Sequence, residues 1–250
     1  MNDLASTYLD ATIDLLRRLR DEEGDALGEA ARTIADAIGD GRQVFAFGCT
    51  HSALPVQDIV YRAGGLMLVN PLLGPGITSL DVRPTTLTSA MEKLEGYAEA
   101  LLDASPLTAG DVLIVVSVSG RNAVPIEMAQ LARERGATVI GVTSRTYSGA
   151  VTSRHPSGLK MADFAHIVLD NKVDTGDAVL EHEGVPQRFC PASGVTSTAL
   201  LHALVAATIE RLVQAGITPP VFLAANVDGG AEYNARLLAE YGDRIHYLSS

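Results

Sequence analysis

Residues 111–123, DVLIVVSVSGRNA, constrain this chain more than any other stretch. Val112–Val116 is an unbroken apolar run of strand length, suited to a strand covered on both faces. The chain then turns small and polar through Ser117, Ser119, Gly120, Arg121 and Asn122. It resumes with a helical pattern, Ile126, Ala129, Leu131 and Ala132 against Glu127, Arg133, Glu134 and Arg135. A buried strand, a hydroxyl loop and a helix start together make an anion site. Unpaired amides point out of the helix N-terminus, its dipole favours negative charge, and hydroxyls add donors without bulk. Helix capping by Ser119 would explain this loop if it stood alone. It does not: Gln43–Phe47 is a second short, mostly apolar run, followed by Gly48, Cys49, Thr50, His51 and Ser52 and a helix predicted through Ala63. Two such turns in one chain point to a shared phosphate pocket.

The second loop reads Ser117-Val118-Ser119-Gly120-Arg121-Asn122, and with the first loop it resembles the sugar isomerase (SIS) family of phosphosugar-binding proteins, whose loop runs S-x-S-G-x-[S/T/N]. The resemblance covers roughly Asp40 to Gly216. With the flanking helices, the chain resembles one particular subgroup of that family. The expected fold is α/β, a doubly wound five-stranded parallel sheet of order 2-1-3-4-5 with helices on both faces. Strands one and three then flank the switch point, so both hydroxyl loops meet in one crevice. Residues 1–39 are expected to form a helical segment on the core or at a subunit interface, and 40–250 the phosphosugar-binding domain. The resemblance further implies a homodimer or homotetramer with sites near subunit contacts.

The remaining strands are expected at Leu66–Val69, Thr138–Thr143 and Ala165–Asp170, and one long helix or a helix pair, broken near Gly24 and Gly28, at Leu4–Ile38. Asn70–Arg83 is rich in Pro and Gly and long enough to fold over a substrate. Ser89–Glu92 fits a capping box. Asp170–Pro191 reads as acidic and irregular; its His182 and carboxylates match no compact ligand set, so no metal is expected.

Resemblance also supplies a catalytic candidate. Relatives that cleave amino-sugar phosphates, the N-acetylmuramic acid 6-phosphate etherases, carry a catalytic glutamate in a segment like A-x-E-G-A-E, and the similar segment here is Lys93-Leu94-Glu95-Gly96-Tyr97-Ala98-Glu99. Glu95 is therefore the expected base. Those relatives carry a second glutamate ten residues after the first-loop serine, where this chain has Arg62. His51 is the candidate replacement acid. Thr50, Ser52, Ser117, Ser119 and Asn122 are expected to bind substrate. So are Ser193, Thr196 and Thr198, because in this family a hydroxyl cluster at the corresponding helix start lines the pocket. Cys49 reads as a packing residue. His155 lies in a polar loop, and Asn226 and Asp228 form a turn that completes the pocket in some relatives.

Composition narrows the field. A net charge of -11 disfavours a nucleic-acid partner. Two cysteines are too few for a disulfide framework, no apolar run is long enough to span a bilayer, and the amphipathic, acid-containing N-terminus is unlike a targeting peptide. A cytoplasmic location without a membrane partner or cofactor is expected. The expected chemistry is C2 proton abstraction and C3 elimination on an amino-sugar 6-phosphate, with N-acetylglucosamine 6-phosphate as the leading substrate. An aldose–ketose isomerase or deaminase, and a non-catalytic phosphosugar sensor, are the alternatives.

Overall fold

The computed structural model describes residues 3–78 and 82–248. In chain order it contains helices α1 (Leu4–Glu22) and α2 (Gly24–Gly39), strand β1 (Val44–Gly48), helix α3 (Ala53–Asp58), strand β2 (Val69–Leu72), and helices α4 (Thr86–Met91) and α5 (Tyr97–Asp103). Strand β3 (Val112–Val116), helix α6 (Ala123–Glu134), strand β4 (Thr138–Thr143), helices α7 (Arg145–Ala150) and α8 (Met161–Phe164) and strand β5 (Ile167–Asp170) follow. Strands β6 (Ala178–His182) and β7 (Val185–Pro191) and helices α9 (Ser193–Gln214) and α10 (Gly230–Tyr241) complete the chain.

The five main strands form one parallel sheet of order β2-β1-β3-β4-β5, with Val44 paired to both Val69 and Val112, and Ile140 to Ile114 and Ile167. Every residue of β1 and β3 is buried, which is why both read as continuous apolar runs without alternation. Strand pleating sends successive residues to opposite layers. Val44, Ala46, Val112, Ile114 and Val116 join Ile34, Ile38, Leu200 and Leu204, so α2 and α9 cover that face. Phe45, Phe47, Leu113 and Val115 join Leu102, Ile126 and Met128 under α5 and α6.

Several local expectations shift. The N-terminal helices break at Glu23, whose carboxylate accepts the Asp170 backbone N–H at 3.0 Å; Gly28 lies within α2. Leu66–Leu68 is buried but precedes strand β2, and Leu66 instead bridges Val221. Strand β2 contains Asn70 and Pro71 because it is an edge strand, where a missing donor costs nothing, and because the Asn70 amide is satisfied. Its side chain donates to the Arg244 carbonyl at 3.0 Å and accepts from the His246 N–H at 2.8 Å. The Ser89–Glu92 capping box is absent, since α4 already starts at Thr86 and Glu92 sits at its C-terminal end. The stretch read as irregular is an antiparallel hairpin, β6 with β7, turning at Glu183-Gly184. Among the described residues, no helix is long and apolar enough to cross a membrane.

Candidate functional site

The carboxyl ends of β1 and β3 lie side by side in register, Gly48 opposite Val116, so the two loops that follow them open into one space. Gly48 is required there: a Cβ would come within 2.2 Å of the Ser52 carbonyl oxygen, so only glycine lets the chain fold back into α3. Thr50 holds φ at +50°, a costly conformation for a β-branched residue. Its N–H donates to the Ile77 carbonyl at 2.6 Å, anchoring the Pro/Gly-rich segment beside the first loop. Ser79, Leu80 and Asp81 of that segment lie outside the described residues. In the second loop Gly120 takes φ +60°. The Val118 carbonyl accepts both the Ser144 N–H at 2.9 Å and the Thr143 hydroxyl at 3.0 Å, pinning the loop to the end of β4.

A cavity of about 570 Å³ occupies the crevice. Thr50, His51 and Ser52 line it from the first loop, and Ser117, Ser119 and Asn122 from the second. Ser193 lines it from the start of α9. The other expected positions fall elsewhere. Thr196 is fully buried beneath the helix, with its hydroxyl directed to the Ser193 carbonyl, because the helical repeat turns it into the core. Thr198 borders a separate depression with Leu54, Gln57, Asp58 and Gly194. Glu95 is exposed and does not line the cavity. Asn226 and Asp228 are exposed and outside its lining. Arg62 is also exposed, 2.7 Å from Asp58, which in turn lies 2.8 Å from His202.

Four polar cavity groups escape the sequence reading: Glu92, Tyr147, Asp177 and Ser197. Glu92 is placed by its own backbone, since its carbonyl accepts the Val124 N–H at 3.1 Å and ties the end of α4 to the start of α6. Burial pushes its carboxyl above the usual glutamate range; the Asn122 side chain and the charges of Lys93 and Arg154 pull back only in part. Arg154 donates to the Asn122 Oδ1 at 3.1 Å, so Arg154, Asn122 and Glu92 form a chain of polar contacts into the cavity wall. Cys49 is buried and its thiol is pushed well up, by burial first and by the Glu92 charge second, which fits a packing role. Asp177, at φ +69°, accepts from the Ala192 and Ser193 N–H groups at 3.1 and 2.7 Å, and from the Ser193 hydroxyl at 2.5 Å. It spends its acceptors on the start of α9, which suits it to positioning Ser193. In sequence Glu92 reads as part of a cap, and its nearness to the second loop's helix start exists only in the fold.

A model described as the SIS domain matches residues 7–144, more than half of the chain. The chain belongs to the SIS family. A UPF0309 protein of Streptomyces coelicolor is 52% identical over 243 residues, covering 97% of each chain. Among solved structures, a phosphoheptose isomerase from Neisseria gonorrhoeae superposes with a TM-score of 0.57 at 19% identity, over 82% of this SIS protein and 97% of that chain. The NanR protein of Vibrio vulnificus, solved with ManNAc-6P, gives 0.51 at 14% identity over all of this chain and 72% of its own. At such identities these likenesses show the fold: the doubly wound sheet of order 2-1-3-4-5 is that of the phosphosugar isomerases.

Proposed function

We propose that the protein is a sugar-phosphate lyase that dehydrates an N-acetylhexosamine 6-phosphate, with N-acetylglucosamine 6-phosphate as the first substrate to test. The observation that carries this reading is a half-buried carboxylate, Glu92, in the same cavity as two hydroxyl-rich loops. Ser117, Ser119, Ser52 and Asn122 offer donors for a dianionic phosphate beside the α6 N-terminus, and binding at that end orients the sugar carbons against the wall. An acetamido sugar is favoured by the partial likeness to the etherases and by the ManNAc-6P bound to the NanR protein.

In the open-chain aldehyde, Glu92 removes the proton at C2, and the electron pair enters the enolate of the C1 aldehyde. Collapse of that enolate forms the C2–C3 double bond and breaks the C3–O bond. His51 delivers a proton to the departing hydroxyl, so water leaves. Glu92 here takes the base role that resemblance assigns to Glu95. Its raised pKa brings the conjugate acid closer to working pH, which improves a general base.

On a sugar phosphate with a hydroxyl at C2, the same proton abstraction gives an enediolate. Its reprotonation at C1, with the C2 hydroxyl proton moved to the C1 oxygen, yields the ketose of an aldose–ketose isomerase. Proton NMR of the protein with N-acetylglucosamine 6-phosphate in deuterated water separates the outcomes. A new vinyl signal is expected. A ketose spectrum from glucose 6-phosphate run alongside, with N-acetylglucosamine 6-phosphate unchanged, would replace the lyase by an isomerase. A spectrum unchanged while the sugar phosphate binds, with no deuterium entering C2, would overturn catalysis in favour of a sensor.

A further inference from the structure

Glu95 and His155, both singled out in the sequence, converge on Glu127 outside the cavity. Their ligand-type atoms all lie within 4.8 Å of one another. They come from three segments: the turn before α5, the first half of α6 and the loop between α7 and α8. Glu127 is buried, 9% exposed, and one of its oxygens is fixed by the Gly96 N–H at 2.8 Å. The other lies 3.6 Å from the His155 Nε2. That is too long for a direct hydrogen bond, whereas two ligands about 2.0–2.1 Å from a tetrahedral ion sit roughly 3.3 Å apart. The His155 Nδ1 lies 2.8 Å from the Ser157 hydroxyl, to which it donates in the tautomer that leaves Nε2 free to ligate; the Ser157 N–H, 3.3 Å away, is the weaker contact. A ring held through Nδ1 with Nε2 aimed at carboxylates is the arrangement of a ligating histidine. Among the described residues, no lysine or arginine pairs with either carboxylate.

We infer that Glu95, Glu127 and His155 bind a divalent first-row transition cation, with zinc the best match to one imidazole nitrogen and two carboxylate oxygens. The ion holds the turn before α5 and the 153–160 loop against α6. Arg154 and Asn122 extend from those segments toward Glu92, so the cation braces the cavity wall from behind. The proposal is independent of the reaction assigned to the cavity.

The test is calorimetric titration of chelator-treated, tag-free full-length protein with zinc, together with thermal melts. One zinc per chain and a melting temperature that rises with zinc are expected. Glu95→Gln and His155→Gln should each weaken binding by roughly tenfold or more. Glu95 is exposed, so its variant folds even where a Glu127 variant does not. His182→Gln, in the hairpin, and Glu92→Gln should leave the affinity unchanged. No stoichiometric binding by folded protein, or binding indifferent to Glu95→Gln and His155→Gln, overturns the proposal. So does loss of binding in His182→Gln, which would move the ion to the hairpin.

Discussion

Glu92 and Glu127 are two carboxylates on opposite sides of one wall, and their surroundings differ in what they leave free. Glu92 faces an open cavity between hydroxyl loops, with Asn122, Lys93 and Arg154 as its polar neighbours. Glu127 faces a second carboxylate and an imidazole, with one oxygen already committed to the Gly96 N–H. Both carboxyls are raised, Glu92 chiefly by burial, and Glu127 by burial and then by Glu95, against the pull of the Gly96 N–H and His155. A raised pKa therefore does not by itself mark a catalytic group. What sets Glu92 apart is its access to a space large enough for a sugar.

The largest expected effect is on turnover. Glu92→Gln should cut kcat by about 10²–10⁴, the usual worth of a general base, while sugar-phosphate binding persists. Glu95→Gln should cost less than about tenfold in the same assay, and a loss equal to that of Glu92→Gln would reverse the comparison. Next in size is the phosphate cradle. Ser119→Ala removes a hydroxyl from a charged ligand and should weaken sugar-phosphate affinity by roughly tenfold or more, corresponding to about 1.5–3 kcal/mol.

The pH profile sharpens the contrast further. A base works when deprotonated, so kcat/KM should rise with pH through the raised Glu92 pKa, placing the acid limb above the usual glutamate range of about 4.3. The smallest effect concerns stability. Between the ordinary and the raised pKa the folded chain holds a proton on Glu92 that the unfolded chain has lost, so this group's contribution to stability falls as pH rises through that window. At neutral pH Glu92→Gln should accordingly melt about 1–3 °C above the wild type.

The central fold was legible because β1, β3 and β4 are buried and their apolar runs carry no competing signal. Both hydroxyl loops were legible for the same reason, since they follow those strands directly. What escaped depends on partners distant in sequence. Strand β2 is fixed by Asn70 reaching the chain near Arg244 and His246, which no local pattern announces. The β6–β7 hairpin is mostly exposed, so it lacks the apolar alternation by which strands are read. Glu92 and Glu95 lie three residues apart in sequence, and the hydrogen bond from the Val124 N–H to the Glu92 carbonyl, not a local pattern, places Glu92 at the cavity.

The most direct measurement is exchange of the C2 hydrogen of N-acetylglucosamine 6-phosphate in deuterated water, followed for wild type, Glu92→Gln and Glu95→Gln side by side. Wild type and Glu95→Gln should incorporate deuterium at C2 or form the vinyl product, and Glu92→Gln should do neither while still binding the sugar phosphate. Exchange that survives in Glu92→Gln and vanishes in Glu95→Gln would contradict the account.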